Sequence, residues 1–176
     1  MDDAIEAVKD FQSVPGRFEL IDEGQSFAVV VDYAHTPDGL EKILGTAREI
    51  TEGKIIAVFG CGGDRDRMKR PIMGSIAAEH ADISIVTSDN PRTEDPEKII
   101  EDVVVGVEKV KKNKPDLYYE VIADRRQAIK RAVSLAKDDD IVIIAGKGHE
   151  DYQILKDRTI HFDDREEARN ALKEVK

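Results

Sequence analysis

Asp89-Asn90-Pro91-Arg92 is the stretch of this chain best equipped for chemistry, and it follows an apolar, strand-like run from Ile83 to Thr87. A carboxylate, an amide and a guanidinium on a proline-stiffened turn suit a small zwitterion. Arg92 can grip a carboxylate through two parallel hydrogen bonds, and Asn90 can both donate and accept. Other loops occupy comparable positions. Gly60-Cys61-Gly62-Gly63-Asp64-Arg65-Asp66-Arg67 follows Ile55 to Phe59. Its glycines permit close backbone approach to a ligand, and Arg65 offers charge to an anion. Gly146-Lys147-Gly148-His149-Glu150 follows Ile141 to Ala145, and Glu150 can accept from an ammonium. Asp32-Tyr33-Ala34-His35-Thr36-Pro37-Asp38 follows Phe27 to Val31, and Asp32 and His35 suit hydrogen bonds to a ribose or a base. Taken singly, each loop is weak: that at 60–67 is equally well read as a turn with solvated charges, a lone Glu150 is more often just that, and a turn with an N-cap explains Thr36 and Pro37 completely.

Several other chemistries find no support. A phosphate-binding loop built on Gly146-Lys147 would need glycine at Ile141 and a hydroxyl residue at Gly148, and no such loop occurs elsewhere. The glycines at 60–63 do not have the spacing of a dinucleotide fingerprint. One histidine near one aspartate does not make a metal site, so no metal ligand is assigned. Cys61 has no histidine beside it in sequence and reads as a small core or turn residue.

The loops need a frame that brings them together. Four apolar runs, Ile55 to Phe59, Ile83 to Thr87, Tyr119 to Ile122 and Ile141 to Ala145, predict strands buried on both faces. Phe27 to Val31 predicts a fifth strand, with Arg17 to Ile21 as its hairpin arm. Helices fall between them. Thr36-Pro37 starts one with Leu40, Ile43, Leu44, Ala47 and Ile50 at helical spacing, and Gly53 can stop it. Pro71 opens a second, over Ile72 to Ala78. Asp95-Pro96 starts a third along Ile99, Ile100, Val103 and Val107. Asp124 to Gln127 and Asp164 to Glu167 have capping-box spacing before two more. Alternating strands and helices predict an α/β domain, doubly wound around a mostly parallel sheet flanked by helices. In such sheets ligands bind at the strand ends, where these loops converge.

The 176 residues suffice for one domain with a substantial core. A net charge of −10 argues against nucleic acid as a partner. No stretch approaches the roughly 20 apolar residues of a membrane span. The acidic start and single cysteine predict a cytoplasmic protein without disulfides.

Five motifs in fixed order carry a specific resemblance. Val14-Pro15-Gly16-Arg17-Phe18-Glu19, the Asp32 to Pro37 loop, Phe59 to Asp66, Asp89 to Arg92 and Gly146 to Gln153 resemble the C-terminal domain of the Mur ligases. The branch resembled adds 2,6-diaminopimelate to UDP-N-acetylmuramoyl-L-alanyl-D-glutamate. The likeness runs from about Val14 to the end, so residues 14–176 are expected to form the amino-acid-binding domain, Rossmann-like in fold. Residues 1–13 are expected to end the helix that leaves a central ATPase domain. That domain and the UDP-sugar-binding N-terminal domain have no counterpart in this sequence.

The resemblance implies an ATP- and magnesium-dependent, amide-forming step of peptidoglycan synthesis, in a monomeric protein. A substrate carboxylate is phosphorylated, and the amine of meso-diaminopimelate displaces the phosphate. By motif match, Arg65, Asp89, Asn90, Pro91, Arg92, Gly146 and Glu150 bind the amino acid. Arg92 and Asn90 take the carboxylate of its non-reacting end, helped by Arg65, while Glu150 and the Gly146 carbonyl take the ammonium. Arg17, Asp32 and His35 match positions facing the nucleotide, with Asp32 on the ribose and Arg17 on the phosphates. No general base is assigned. Lysine lacks one carboxylate, so a site built on Arg92 would reject it by roughly 10⁴-fold or more. Two other readings remain at this stage: a stand-alone amino-acid-binding module, and a related ligase adding another amino acid.

Overall fold

The computed structural model describes residues 14–175, so the connecting helix expected over residues 1–13 lies outside the described residues. The main sheet contains β1 (Glu19–Leu20), β2 (Ala28–Asp32), β3 (Ile55–Phe59), β4 (Ile83–Val86), β5 (Tyr118–Val121) and β6 (Ile141–Ala145). Their order is β1-β2-β6-β3-β4-β5. Every pairing is parallel except that of β1, the expected hairpin arm, with β2. The helices are α1 (Pro37–Ile50), α2 (Lys69–His80), α3 (Pro96–Lys111), α4 (Arg125–Leu135) and α5 (Asp164–Glu174). A short antiparallel hairpin, β7 (Tyr152–Ile154) with β8 (Thr159–His161), precedes α5.

Alternation along the strands splits the core in two. Ile55, Ala57 and Phe59 of β3, with Ile141, Ile143 and Ala145 of β6, pack under α1, α2 and α3. Ile56 and Val58, with Val142 and Ile144, pack under α4 and α5. Both faces are covered, which is why these strands are apolar without interruption. The chain advances along one face through α1, α2 and α3, then returns along the other through α4 to insert β6 between β2 and β3. At β3 and β6 the following segments leave toward opposite faces, which opens a crevice at the carboxyl ends of these strands.

The caps at Thr36, Asp95 and Asp124 form as expected, each side chain accepting a backbone N–H of the first turn. Three expectations are corrected. Tyr118–Val121 is not buried on both faces: it lies at the sheet edge with Tyr118 and Val121 exposed, and the charged Glu120 inside the run reflects this. The helix expected from Pro71 begins at Lys69, so Pro71 sits in its first turn. The cap of α5 is Asp163, which accepts from Arg165 N; Asp164 lies inside the helix and forms a fully buried ion pair with Arg125 of α4.

Candidate functional site

The cleft at the strand ends has a volume of ≈ 390 Å³. Loops after β2, β3, β4 and β6 converge on it. Arg65, Asp89, Asn90, Arg92, Gly146 and Glu150 all line it, as does His35. Pro91, Arg17 and Asp32 do not line it. Pro91 is buried, and its carbonyl oxygen would stand 1.9 Å from a Cβ placed on Gly63. The loop glycine expected to admit a ligand therefore admits the neighbouring backbone. Gly63 N donates to Asn90 O at 2.9 Å, which binds the loop after β3 to the loop after β4.

The Asp89 to Arg92 turn is tied from several sides. Asn90 N donates to Asp89 Oδ1 (2.6 Å), and Gln153 Nε2 of β7 donates to Asp89 O (2.7 Å). Arg92 N donates to Ile154 O (3.1 Å), and Ile154 N donates to Asn90 Oδ1 (2.9 Å). The β7–β8 hairpin thus clamps the turn. Three-residue strands carry too little periodicity to be read from sequence, and the hairpin was not expected.

Asn90 is 2 % exposed. Its Oδ1 accepts from Lys147 Nζ (3.2 Å) as well as Ile154 N, and its Nδ2 donates to Glu150 Oε2 (2.9 Å). The amide expected to hold a carboxylate is largely committed to its neighbours and orients Glu150. Arg92 is half-buried. Its Nη1 donates to Gly63 O (2.9 Å) and Asn90 O (3.3 Å). Among the described residues its Nε and Nη2 make no hydrogen bond, so the side-on fork that pairs with a carboxylate is available. Glu150 Oε1 likewise receives none. The geometry offers a cationic fork and a carboxylate oxygen in one cleft, complementary to the two charges of an α-amino acid.

Two features set the shape of the floor. Gly146 has φ +128°, and a Cβ there would fall 2.7 Å from Asp89 Oδ2, so only glycine fits. Behind it, Arg125 Nη2 donates to Ala145 O (3.0 Å) while the guanidinium pairs with Asp164. Burial opposes the Arg125 charge, but the Asp164 carboxylate more than compensates and raises its pKa. The nearby Glu150 charge, followed by burial, raises the pKa of the Tyr152 hydroxyl at the cleft wall.

Arg17, Tyr33, His35 and His149 gather at one end. The Tyr33 ring lies 4.5 Å from His35 and 5.1 Å from His149, with the Arg17 guanidinium 5.2 Å from its centroid. Asp32 Oδ2 accepts from Phe18 N (2.8 Å) and so secures the turn that carries Arg17. Arg65 is exposed at the rim, its Nη1 turned to Asp64 O. Lys147, Tyr33 and Tyr152 had no role in the sequence reading, although all three stand in the quoted motifs. The signal for Lys147 was a lysine between glycines directly after a buried strand. Cys61 is buried, which pushes its thiol up to about 12 and makes it a core residue.

A doubly wound sheet with a polar cleft at its switch point defines a Rossmann-like α/β domain, and comparison assigns its family. Residues 16–148 match the family described as Mur ligase, glutamate ligase domain; the chain belongs to the Mur ligases. It is 56 % identical over 172 residues to the UDP-N-acetylmuramoyl-L-alanyl-D-glutamate--2,6-diaminopimelate ligase of Clostridium botulinum, covering 97 % of this chain and 34 % of that one. The ligase of the same name from Thermosynechococcus vestitus is 58 % identical over 172 residues, with 97 % and 33 % covered. A solved structure of a ligase of that name matches with a TM-score of 0.84 at 44 % identity, over 97 % of this chain and 34 % of that one. The chain spans about a third of the length of the relatives it matches.

Proposed function

We propose that residues 14–176 form the amino-acid-binding domain of an ATP-dependent ligase that adds meso-diaminopimelate to UDP-N-acetylmuramoyl-L-alanyl-D-glutamate in peptidoglycan synthesis. The observation that carries the reading is the pairing of the open Arg92 fork with the open Glu150 oxygen in one cleft. Relatives more than half identical that bear this ligase name support it. The non-reacting end of the amino acid sits with its carboxylate on Arg92, assisted by Arg65, and its ammonium on Glu150 and the Gly146 carbonyl. Asp89, Asn90 and Pro91 hold this constellation rigid. Orientation of this kind lowers the barrier by fixing the distal amine near the acyl phosphate it attacks. In that step the amine nitrogen forms the amide bond, the acyl–phosphate bond breaks, inorganic phosphate leaves and a proton is released.

Arg17, Asp32 and His35 belong to the nucleotide side: Arg17 to the phosphates and Asp32 to the ribose, through its Oδ1. Among the described residues no three His, Cys, Asp or Glu side chains gather to hold a metal ion. Magnesium and the ATP phosphates are held mainly by the central ATPase domain of the longer ligase in this reading. The working protein is cytoplasmic and monomeric in this reading. No described helix is long and apolar enough to cross a membrane. Turnover by the full-length protein tests the proposal: phosphate release from ATP should require both the UDP-linked dipeptide and meso-diaminopimelate. Release that is indifferent to the amino acid would remove the basis for it.

A further inference from the structure

We propose that Lys147 is the positioning residue of the amino-acid cleft, fixing the Asn90 amide and one oxygen of Glu150 so that the other oxygen faces the ligand. The inference rests on the ligase reading above. Lys147 is 0 % exposed, an unusual state for a lysine unless it is paired. Among the described residues its ammonium reaches only cleft residues: Asn90 Oδ1 at 3.2 Å, Glu150 Oε2 at 3.3 Å, and the Tyr152 ring at 5.5 Å from the centroid.

Two consequences follow from donor and acceptor chemistry. Lys147 and the Ile154 N–H both donate to Asn90 Oδ1, so a flipped amide would set N–H groups against N–H groups. Lys147 thereby helps decide that Nδ2 points to Glu150. Lys147 and Asn90 also both donate to Glu150 Oε2, which directs the unbonded Oε1 to the ligand ammonium. Charge adds to this: the Lys147 ammonium is set against the Glu150 carboxylate as an ion pair at 3.3 Å.

The test is steady-state kinetics of the full-length protein carrying Lys147→Met, which keeps the length and apolar stem. KM for meso-diaminopimelate should rise about 10- to 100-fold, the loss of a charge-assisted contact. KM for ATP and for the UDP-linked dipeptide should stay within about 2-fold, and kcat at saturation within about 3-fold. Combined with Glu150→Gln, the losses should not multiply, since both act on one contact. If the methionine variant fails to fold, Lys147→Gln, which keeps a donor but loses the charge, should show the same selective rise in KM for meso-diaminopimelate to a smaller extent. An unchanged KM, an equal loss toward all three substrates, or multiplicative losses would overturn the role of Lys147 alone. A wild-type protein that ignores meso-diaminopimelate would overturn the ligase reading, and this inference with it.

Discussion

Arg92 holds its backbone at φ +54°, a region that costs a residue with a side chain about 1–3 kcal/mol. The surroundings over-determine it. Its N–H is held by Ile154 O, and its Nη1 by two carbonyls. The strain turns the side chain back across the loop after β3, so that one edge of the guanidinium is anchored and the other faces the cleft. Only a planar, multi-donor group does both, and lysine is no substitute. Arg92→Lys should raise KM for meso-diaminopimelate about 10- to 100-fold and narrow its preference over lysine. A KM equal to wild type in the same kinetic assay would remove Arg92 from the carboxylate site. At this scale the sequence was informative where function needs an unusual residue type. That Asp89, Asn90, Arg92 and Glu150 gather at one cleft was legible in the sequence, whereas Pro91 packs away from it. The commitment of Asn90 to Glu150 was not legible, because it depends on Lys147 and Ile154, which lie 57 and 64 positions away.

The elements meet at the cleft through ion pairs and clamps that short-range patterns do not carry. Glu94, just before α3, receives Arg70 of α2 through both terminal nitrogens, Arg67, and the backbone N–H of Asp64. Asp64 in turn accepts from Thr93 Oγ1 at 2.7 Å. These contacts lock the loop bearing Arg65 to the loop bearing Arg92. The Arg70 hydrogen bonds, then the Asp64 N–H, hold the Glu94 carboxyl down at about 2, against an ordinary 4.5. A depressed folded pKa stabilises above the unfolded value and loses that stability as pH falls toward the folded one. The melting-temperature gap between wild type and Glu94→Gln should therefore be full at neutral pH and shrink between pH 4.5 and about 2. Thermal melts at about pH 6 and about pH 3 check this, and a constant gap would contradict it. Strands, helices and three caps were readable here because each is a local pattern. Asp164 was misread because its capping-box spacing is real, while its burial against Arg125 is visible only once α4 and α5 pack. Severing such a buried pair costs about 3–5 kcal/mol.

The whole molecule places its chemistry where the sheet changes direction. The return of β6 between β2 and β3 brings the loops after four parallel strands to one edge, and it puts Glu150 beside a turn 60 residues away in sequence. The doubly wound class followed from alternating apolar runs. The strand order did not, because no local pattern says that the last parallel strand enters the middle. The cluster of Arg17, Tyr33, His35 and His149 borders the same loop that carries Lys147 and Glu150. In the proposed ligase, closure around this edge would bring nucleotide and amino acid together. The most direct test of the central claim is a competition between meso-diaminopimelate and L-lysine for the full-length protein, read as the ratio of their kcat/KM values. A preference of roughly 10⁴-fold or more for meso-diaminopimelate, collapsing in Arg92→Ala, is the result expected of a site built on a second carboxylate. Comparable use of the two amino acids, or a preference that survives the loss of Arg92, would contradict it.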